Sequence, residues 1–224
     1  MKDAFSSDLW KQLARKAVVA VLVVDRVEDA VPLARALLDG GVTAMELTLR
    51  TPVAVEALRA IRREAPAMTA GIGTILTVEQ VKEVKEAGAA FGVAPGCSPR
   101  VIQAAREAGL DFAPGVVTPS EIEAALEYGC RLLKLFPAES LGGLAYLKSA
   151  AAPYLHLGLQ FIPLGGLTAV NAGAWLSDPL IAAVGGSWLA PRDAIKAGKW
   201  ADITRNASEA MRVARQARGE AGNA

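Results

Sequence analysis

The chain has 224 residues, 52% hydrophobic and 21% charged, which is ample apolar material for one large core. Its 24 Lys and Arg stand against 23 Asp and Glu, a net charge of +1 that offers no electrostatic case for a nucleic-acid partner or an anionic membrane surface. The longest strongly apolar stretch, Ala17 to Val24, is far short of the roughly 20 residues that cross a bilayer.

In chain order, Met1-Lys2-Asp3-Ala4-Phe5 lacks a signal peptide's apolar segment and cleavage pattern. Leu9 and Leu13 mark an extra helix before about residue 17, expected to close the bottom of the strand assembly. Strands are expected near Val18–Val24, Ala44–Leu49, Thr69–Gly73, Phe91–Ala94, Asp111–Ala113, Leu132–Phe136, Gln160–Pro163 and Ile181–Val184. These eight runs recur every 20 to 28 residues and are near-continuously apolar, as for parallel strands buried on both faces. Between them, a Ser or Thr, often followed by Pro, opens a helical stretch that ends at Gly. Thr51-Pro52 precedes Val55, Leu58 and Ile61, spaced for one helix face. Thr77 with Gln80, and Thr118-Pro119 with Glu121, read as capping boxes, and Ser98-Pro99 opens a third helix. Gly88, Gly109 and Gly129 are the stops. A final amphipathic helix comes after Trp200.

Eight such units in one chain imply an α/β fold, a (β/α)8 TIM barrel. It is expected as a single domain over 1–224: a capping helix over 1–16, the barrel over about 17–216 and a polar tail over 217–224. A doubly wound sheet is the competing architecture, but no dinucleotide fingerprint is present. The two cysteines, Cys97 and Cys130, form no disulfide framework and favour the cytoplasm. His156, the single histidine, leaves no multi-histidine metal site and reads as a surface or loop residue.

Lys134 is the residue that carries most chemistry. It sits among leucines in Arg131-Leu132-Leu133-Lys134-Leu135-Phe136-Pro137, where an ammonium is costly unless something uses it. Desolvation favours the free amine, which is what a Schiff-base lysine requires. Pairing with a carboxylate, or a strand-end lysine reaching water, would explain it equally simply. In Glu46-Leu47-Thr48-Leu49-Arg50, alternation puts Glu46, Thr48 and Arg50 on one face. A glutamate inside a barrel needs either a cationic partner or a proton-transfer role. Arg50, at the strand's mouth, can grip a substrate carboxylate with both prongs of its guanidinium. Gly73-Thr74 offers close approach and a hydroxyl. Gly165-Gly166 and Gly185-Gly186-Ser187, after strands seven and eight, occupy the usual phosphate position of this fold.

The ordered segments Glu46-Leu47-Thr48-Leu49-Arg50-Thr51, Gly73-Thr74, Ala94-Pro95-Gly96, Pro114-Gly115-Val116, Lys134-Leu135-Phe136-Pro137-Ala138-Glu139, Gly165-Gly166 and Gly185-Gly186-Ser187-Trp188 resemble the 2-keto-3-deoxy-6-phosphogluconate (KDPG) / 4-hydroxy-2-oxoglutarate aldolases from about Val18 to Ala210. The resemblance implies a metal- and cofactor-independent class I aldolase, assembled as a homotrimer, acting on a small-molecule 2-keto acid. By that likeness Lys134 is the Schiff-base lysine and Glu46 the general acid/base. Arg50 and Thr74 bind the pyruvate carboxylate end, Pro95 and Phe136 wall the pyruvyl group, and Gly165, Gly166 and Ser187 hold the phosphate end. Leu164 stands where members acting on KDPG often carry threonine, so the aldehyde partner and the C4 stereochemistry stay open. Ile72, where the family often has alanine, is a milder departure. An aldolase for 2-keto-3-deoxy-6-phosphogalactonate, a phosphate-binding isomerase without Schiff-base chemistry and a catalytically silent binding protein are the other readings.

Overall fold

Apolar runs of this kind bury both faces only if helices cover the outside and side chains fill the inside. The computed structural model, which describes residues 4–219, has that arrangement. The strands are β1 (Val18–Leu22), β2 (Ala44–Thr48), β3 (Thr69–Gly73), β4 (Gly92–Val93), β5 (Phe112–Ala113), β6 (Gly115–Val116), β7 (Leu132–Leu135), β8 (Gln160–Pro163) and β9 (Val184–Gly186). The helices are α1 (Ser7–Lys16), α2 (Ala30–Asp39), α3 (Ala54–Glu64), α4 (Val78–Glu86), α5 (Pro99–Glu107), α6 (Pro119–Glu127), α7 (Gly143–Ala151), α8 (Ala172–Leu176), α9 (Arg192–Lys196) and α10 (Trp200–Ala217).

All strand pairs are parallel, β1 to β5 in sequence, β6 to β8 in sequence, and β9 against β1. β5 and β6 form one stave, interrupted at Pro114, which has no N–H to donate. The Pro114 carbonyl still accepts from the Lys134 N–H at 2.9 Å. A bridge between Phe161 and Ile181 completes the ring. The last stave therefore departs from its expected span: Ile181 contributes a single bridge and the regular strand begins at Val184. Its pairing is decided by neighbours on both sides, which a local apolar run does not report.

The interior and the shell have separate cores. Val19, Ala44, Phe91, Val93, Ala113, Leu132, Ile162 and Leu164 point inward, whereas Val18, Leu22, Met45, Leu47, Ile72, Leu133 and Leu135 face the helices. Phe5 and Leu13, 2% and 0% exposed, join the interior set, so α1 and the residue run before it stopper the N-terminal end. The Phe5 and Phe91 rings meet at 6.4 Å, and Trp10 Nε1 donates to Gln160 Oε1 at 2.7 Å. At the other end of the chain, α10 lays Ile203, Ala207 and Ala210 inward and packs on α2. A β-carbon at Gly40 would overlap Ala207 there.

Two capping boxes form as expected, at Thr77 with Gln80 and at Thr118 with Glu121. Gly88, Gly109 and Gly129 take positive φ at the stops. Thr51 does not cap: its hydroxyl donates instead to the Val24 carbonyl at 2.6 Å, and α3 begins at Ala54 after Val53. Ser98 occupies the N-cap position of α5 with Pro99 inside, but its side chain makes no cap bond. His156 lies exposed in a 3-10 turn. Among the described residues no helix is long and apolar enough to cross a membrane. The expected capping helix over 1–16 is helical over Ser7–Lys16; its residues 1–3, and residues 220–224 of the expected tail, lie outside the described residues.

Candidate active site

Parallel register sets the chemistry at mid-barrel height. Glu46 lies between Val21 of β1 and Gly71 of β3, and Lys134 between Gly115 of β6 and Ile162 of β8. Inward pointing buries both, to 2% and 6% exposure. Across the interior Lys134 Nζ stands 3.6 Å from Glu46 Oε1. That is an ion pair without a hydrogen bond, and among the described residues Glu46 Oε1 has no hydrogen-bond partner. A buried pair kept for stability needs good geometry and further bonds to offset its desolvation. A buried carboxylate oxygen that accepts no hydrogen bond from the protein calls for an explanation, and proton transfer beside the Lys134 amine is one that fits.

Neighbouring backbone makes room for this pair. A β-carbon at Gly73 would overlap the Glu46 carboxylate, and one at Gly71 would overlap the Phe91 ring. Gly73, read from sequence as an opening for substrate, is thus first the space that Glu46 occupies. Thr74 comes next with φ +62, a left-handed conformation that costs a β-branched residue about 1–3 kcal/mol and is sustained by what surrounds it. On the opposite wall, Phe136 places its ring 5.3 Å from Lys134 Nζ. Gly115 passes so close beneath Pro95 that a β-carbon would overlap the Pro95 carbonyl, which fixes that loop over the interior.

Leu164 is buried and lines the same small apolar cavity as Lys134, Glu46, Val21 and Phe91. The cavity measures about 10 Å³, room for about one water molecule. A β-carbon at Gly185 would overlap Leu164, so the glycine seats the leucine. Gly165 and Gly166 have φ +92 and +85 and form the turn above. Gly186 leads into Ser187, exposed at the start of a short 3-10 turn over Ser187–Leu189. Arg50 lies two residues beyond β2, exposed, and among the described residues its guanidinium enters no ion pair. Cys97, on the loop after β4, is half-buried, and burial pushes its thiol up to about 11. At neutral pH it is a thiol, not the reactive thiolate.

Among the described residues no three His, Cys, Asp or Glu side chains converge where they could hold a metal ion. A larger groove of about 530 Å³ lies at the barrel's other end, between Trp10, Leu155 and Leu180. Its charged groups, Lys148 and Asp178, pair with each other at 3.2 Å, and neither Lys134 nor Glu46 lines it.

The family model for KDPG and KHG aldolase matches residues 10–206. The chain belongs to the KDPG and KHG aldolase family. It is 42% identical over 205 residues to the 2-dehydro-3-deoxy-phosphogluconate aldolase of Treponema pallidum, an alignment covering 92% of this chain and 97% of that protein. It is equally 42% identical over 211 residues to the KHG/KDPG aldolase of Escherichia coli K12, covering 92% and 98%. Its structure resembles that of the Legionella pneumophila KDPG aldolase, captured with pyruvate as a covalent carbinolamine intermediate, with a TM-score of 0.84 and 36% identity over 89% of this chain and 96% of that one.

Against the family's pattern, the structure brings Lys134, Glu46 and Leu164 into one pocket, sets the Phe136 ring beside Lys134, and places Arg50, Thr74, Pro95 and the glycine turns at strand exits on the same end. Two residues with structural weight at this end escape sequence reasoning. Glu139, within a family motif but without a role assigned to it, and Trp175 meet through a hydrogen bond of 2.7 Å. Their separation in sequence leaves no periodic or spacing signal.

Proposed function

We propose that this chain is a class I aldolase that reversibly cleaves KDPG to pyruvate and glyceraldehyde 3-phosphate. Close 2-keto-4-hydroxy acids such as 4-hydroxy-2-oxoglutarate, which yields glyoxylate, are substrates of the same chemistry. The observation that carries it is the buried Lys134 amine 3.6 Å from an orphaned Glu46 oxygen, within a family of aldolases. Lys134 attacks the C2 carbonyl and water leaves, giving a protonated imine. Glu46 takes the C4 hydroxyl proton, the C3–C4 bond breaks, and its electron pair moves into the imine as an enamine. The aldehyde departs, Glu46 returns a proton to C3, and water releases pyruvate from Lys134. Arg50 is free to grip the 2-keto acid's carboxylate, with the Thr74 hydroxyl beside it. Pro95 and Phe136 keep bulk water from the imine. Gly165, Gly166 and Ser187 offer N–H and hydroxyl donors to the phosphate.

Borohydride reduction with pyruvate, followed by peptide mass spectrometry, tests this reading. The expected product is one pyruvyl adduct on Lys134; folded protein that forms none rejects the Schiff-base chemistry.

Leu164 leaves the discrimination at C4 weak, because its side chain lines the pocket and offers the substrate hydroxyl no hydrogen bond. We expect Leu164→Thr to raise the preference for one C4 stereoisomer by about 10-fold, the scale of one added hydrogen bond. Parallel kinetics on the gluconate and galactonate substrates would measure it, and an unchanged ratio would place the selectivity elsewhere.

The chain works as one catalytic barrel with residues 1–16 as its closing piece, in the cytoplasm, and assembles as a homotrimer. The trimer is supported by the family likeness, and a monomer mass by light scattering at micromolar concentration would contradict it.

A further inference from the structure

The exit of the lysine strand and the turn after β8 are joined beyond the end of their ladder. The Ala138 N–H donates to the Leu164 carbonyl at 2.8 Å and the Glu139 N–H to the Gly165 carbonyl at 3.1 Å. The stem of Glu139 is the wall on which the turn rests: a β-carbon at Gly166 would lie 2.6 Å from Glu139 Cβ. The Glu139 carboxylate is itself tied. Its Oε1 accepts from Trp175 Nε1 at 2.7 Å, and Trp175, 2% exposed, is anchored in α8. The segment leading into α8 holds the turn from the other side, since Asn171 Nδ2 donates to the Gly166 carbonyl at 3.2 Å and Asn171 Oδ1 accepts from the Thr168 N–H at 2.7 Å.

We propose that Glu139 and Trp175 are a positioning pair that holds the Gly165-Gly166 turn in register with the Lys134 strand, so that the phosphate end of the substrate is presented at a fixed distance from the imine. The inference rests on the assignment of that turn and Ser187 to phosphate. Neither residue touches the reacting atoms. The Trp175 hydrogen bond also fixes where the Glu139 negative charge sits. Released, that carboxylate is free to swing about a turn whose task is to bind an anion. The pair therefore governs affinity for the phosphorylated end and leaves the pyruvyl end alone.

The test compares two reactions of the same enzyme. KDPG cleavage uses both ends of the site, whereas exchange of the pyruvate methyl protons with deuterium, followed by NMR, uses only the imine end. Glu139→Ala and Trp175→Phe should each raise the KM for KDPG about tenfold, equivalent to about 1.4 kcal/mol. Both should keep kcat and the pyruvate exchange rate within about twofold. Glu139→Gln, which preserves an oxygen acceptor for the indole, should return KM to within about threefold of the parent. A general loosening of the fold would lower exchange and cleavage together and would not be rescued by glutamine; that outcome overturns the proposal. The two variants are read independently, so loss of the fold in one leaves the other to decide. Ser187→Ala and competition by inorganic phosphate separate the two levels of inference. If Ser187→Ala raises KM and phosphate competes, but Glu139→Ala and Trp175→Phe change nothing, the positioning role is refuted and the phosphate site stands. If neither Ser187→Ala nor phosphate has an effect, the phosphate assignment falls and the proposal with it.

Discussion

Lys134→Arg is expected to lower KDPG cleavage by at least about 10⁴-fold, the scale on which enzymes lose their nucleophile. Arginine keeps a cation beside Glu46, so the variant isolates imine formation from charge: a guanidinium does not condense with a ketone. The fold should persist, because the substitution preserves the ion pair and most of the side-chain length in a strand buried between β6 and β8. Borohydride should then trap nothing, and the pyruvate methyl should not exchange. Kinetics, adduct mass and thermal melting on one preparation decide it. A variant that retained most of its activity would require a barrel working through charge alone, and the Schiff-base mechanism would be wrong.

Glu46→Gln should divide the reaction differently. The amide keeps the shape that Gly73 accommodates but can neither accept nor return a proton. Cleavage should fall by about 10²–10⁴-fold, the usual contribution of a positioned acid/base. The pyruvyl adduct at Lys134 should still form on prolonged incubation, because the carbonyl and the amine are both present. Deuterium exchange at the pyruvate methyl should fall in step with cleavage, since the C3 proton passes through the same carboxylate. Equal losses in adduct formation and cleavage would instead assign Glu46 to imine formation alone.

Much of the framework is legible in the sequence because its signals are local. The Thr77–Gln80 and Thr118–Glu121 capping boxes involve residues three apart, so their geometry is implicit in the spacing. Lys134 and Glu46 stand out because an ionisable side chain in an apolar strand conflicts with its surroundings. What stays hidden depends on approach across the fold. The Thr51 hydroxyl is claimed by the Val24 carbonyl, two residues past the end of the neighbouring β1, a competition invisible in Thr51-Pro52. The β6 half of the fifth stave has two residues, too few to show a period. The need for glycine at 73 and 115 comes from Glu46 and Pro95, distant in sequence, and the positive φ of Thr74 has no compositional mark. Leu164 is visible as a departure from the family, but only the close approach of Gly185 shows why a leucine fits there.

Phe5 and Leu13 pack into the barrel interior and plug its N-terminal end. Lys134 holds the pyruvyl fragment covalently, so the two products are expected to leave one after the other. The aldehyde is expected to depart first, because the pyruvyl fragment stays bound to Lys134 until its C3 is protonated and the imine is hydrolysed. In the synthetic direction the order reverses: pyruvate is expected to load before the aldehyde. Order of addition, which product-inhibition patterns report, is expected to follow the covalent hold of Lys134 on the pyruvyl fragment, and the plugged N-terminal end leaves traffic to the strand-exit end.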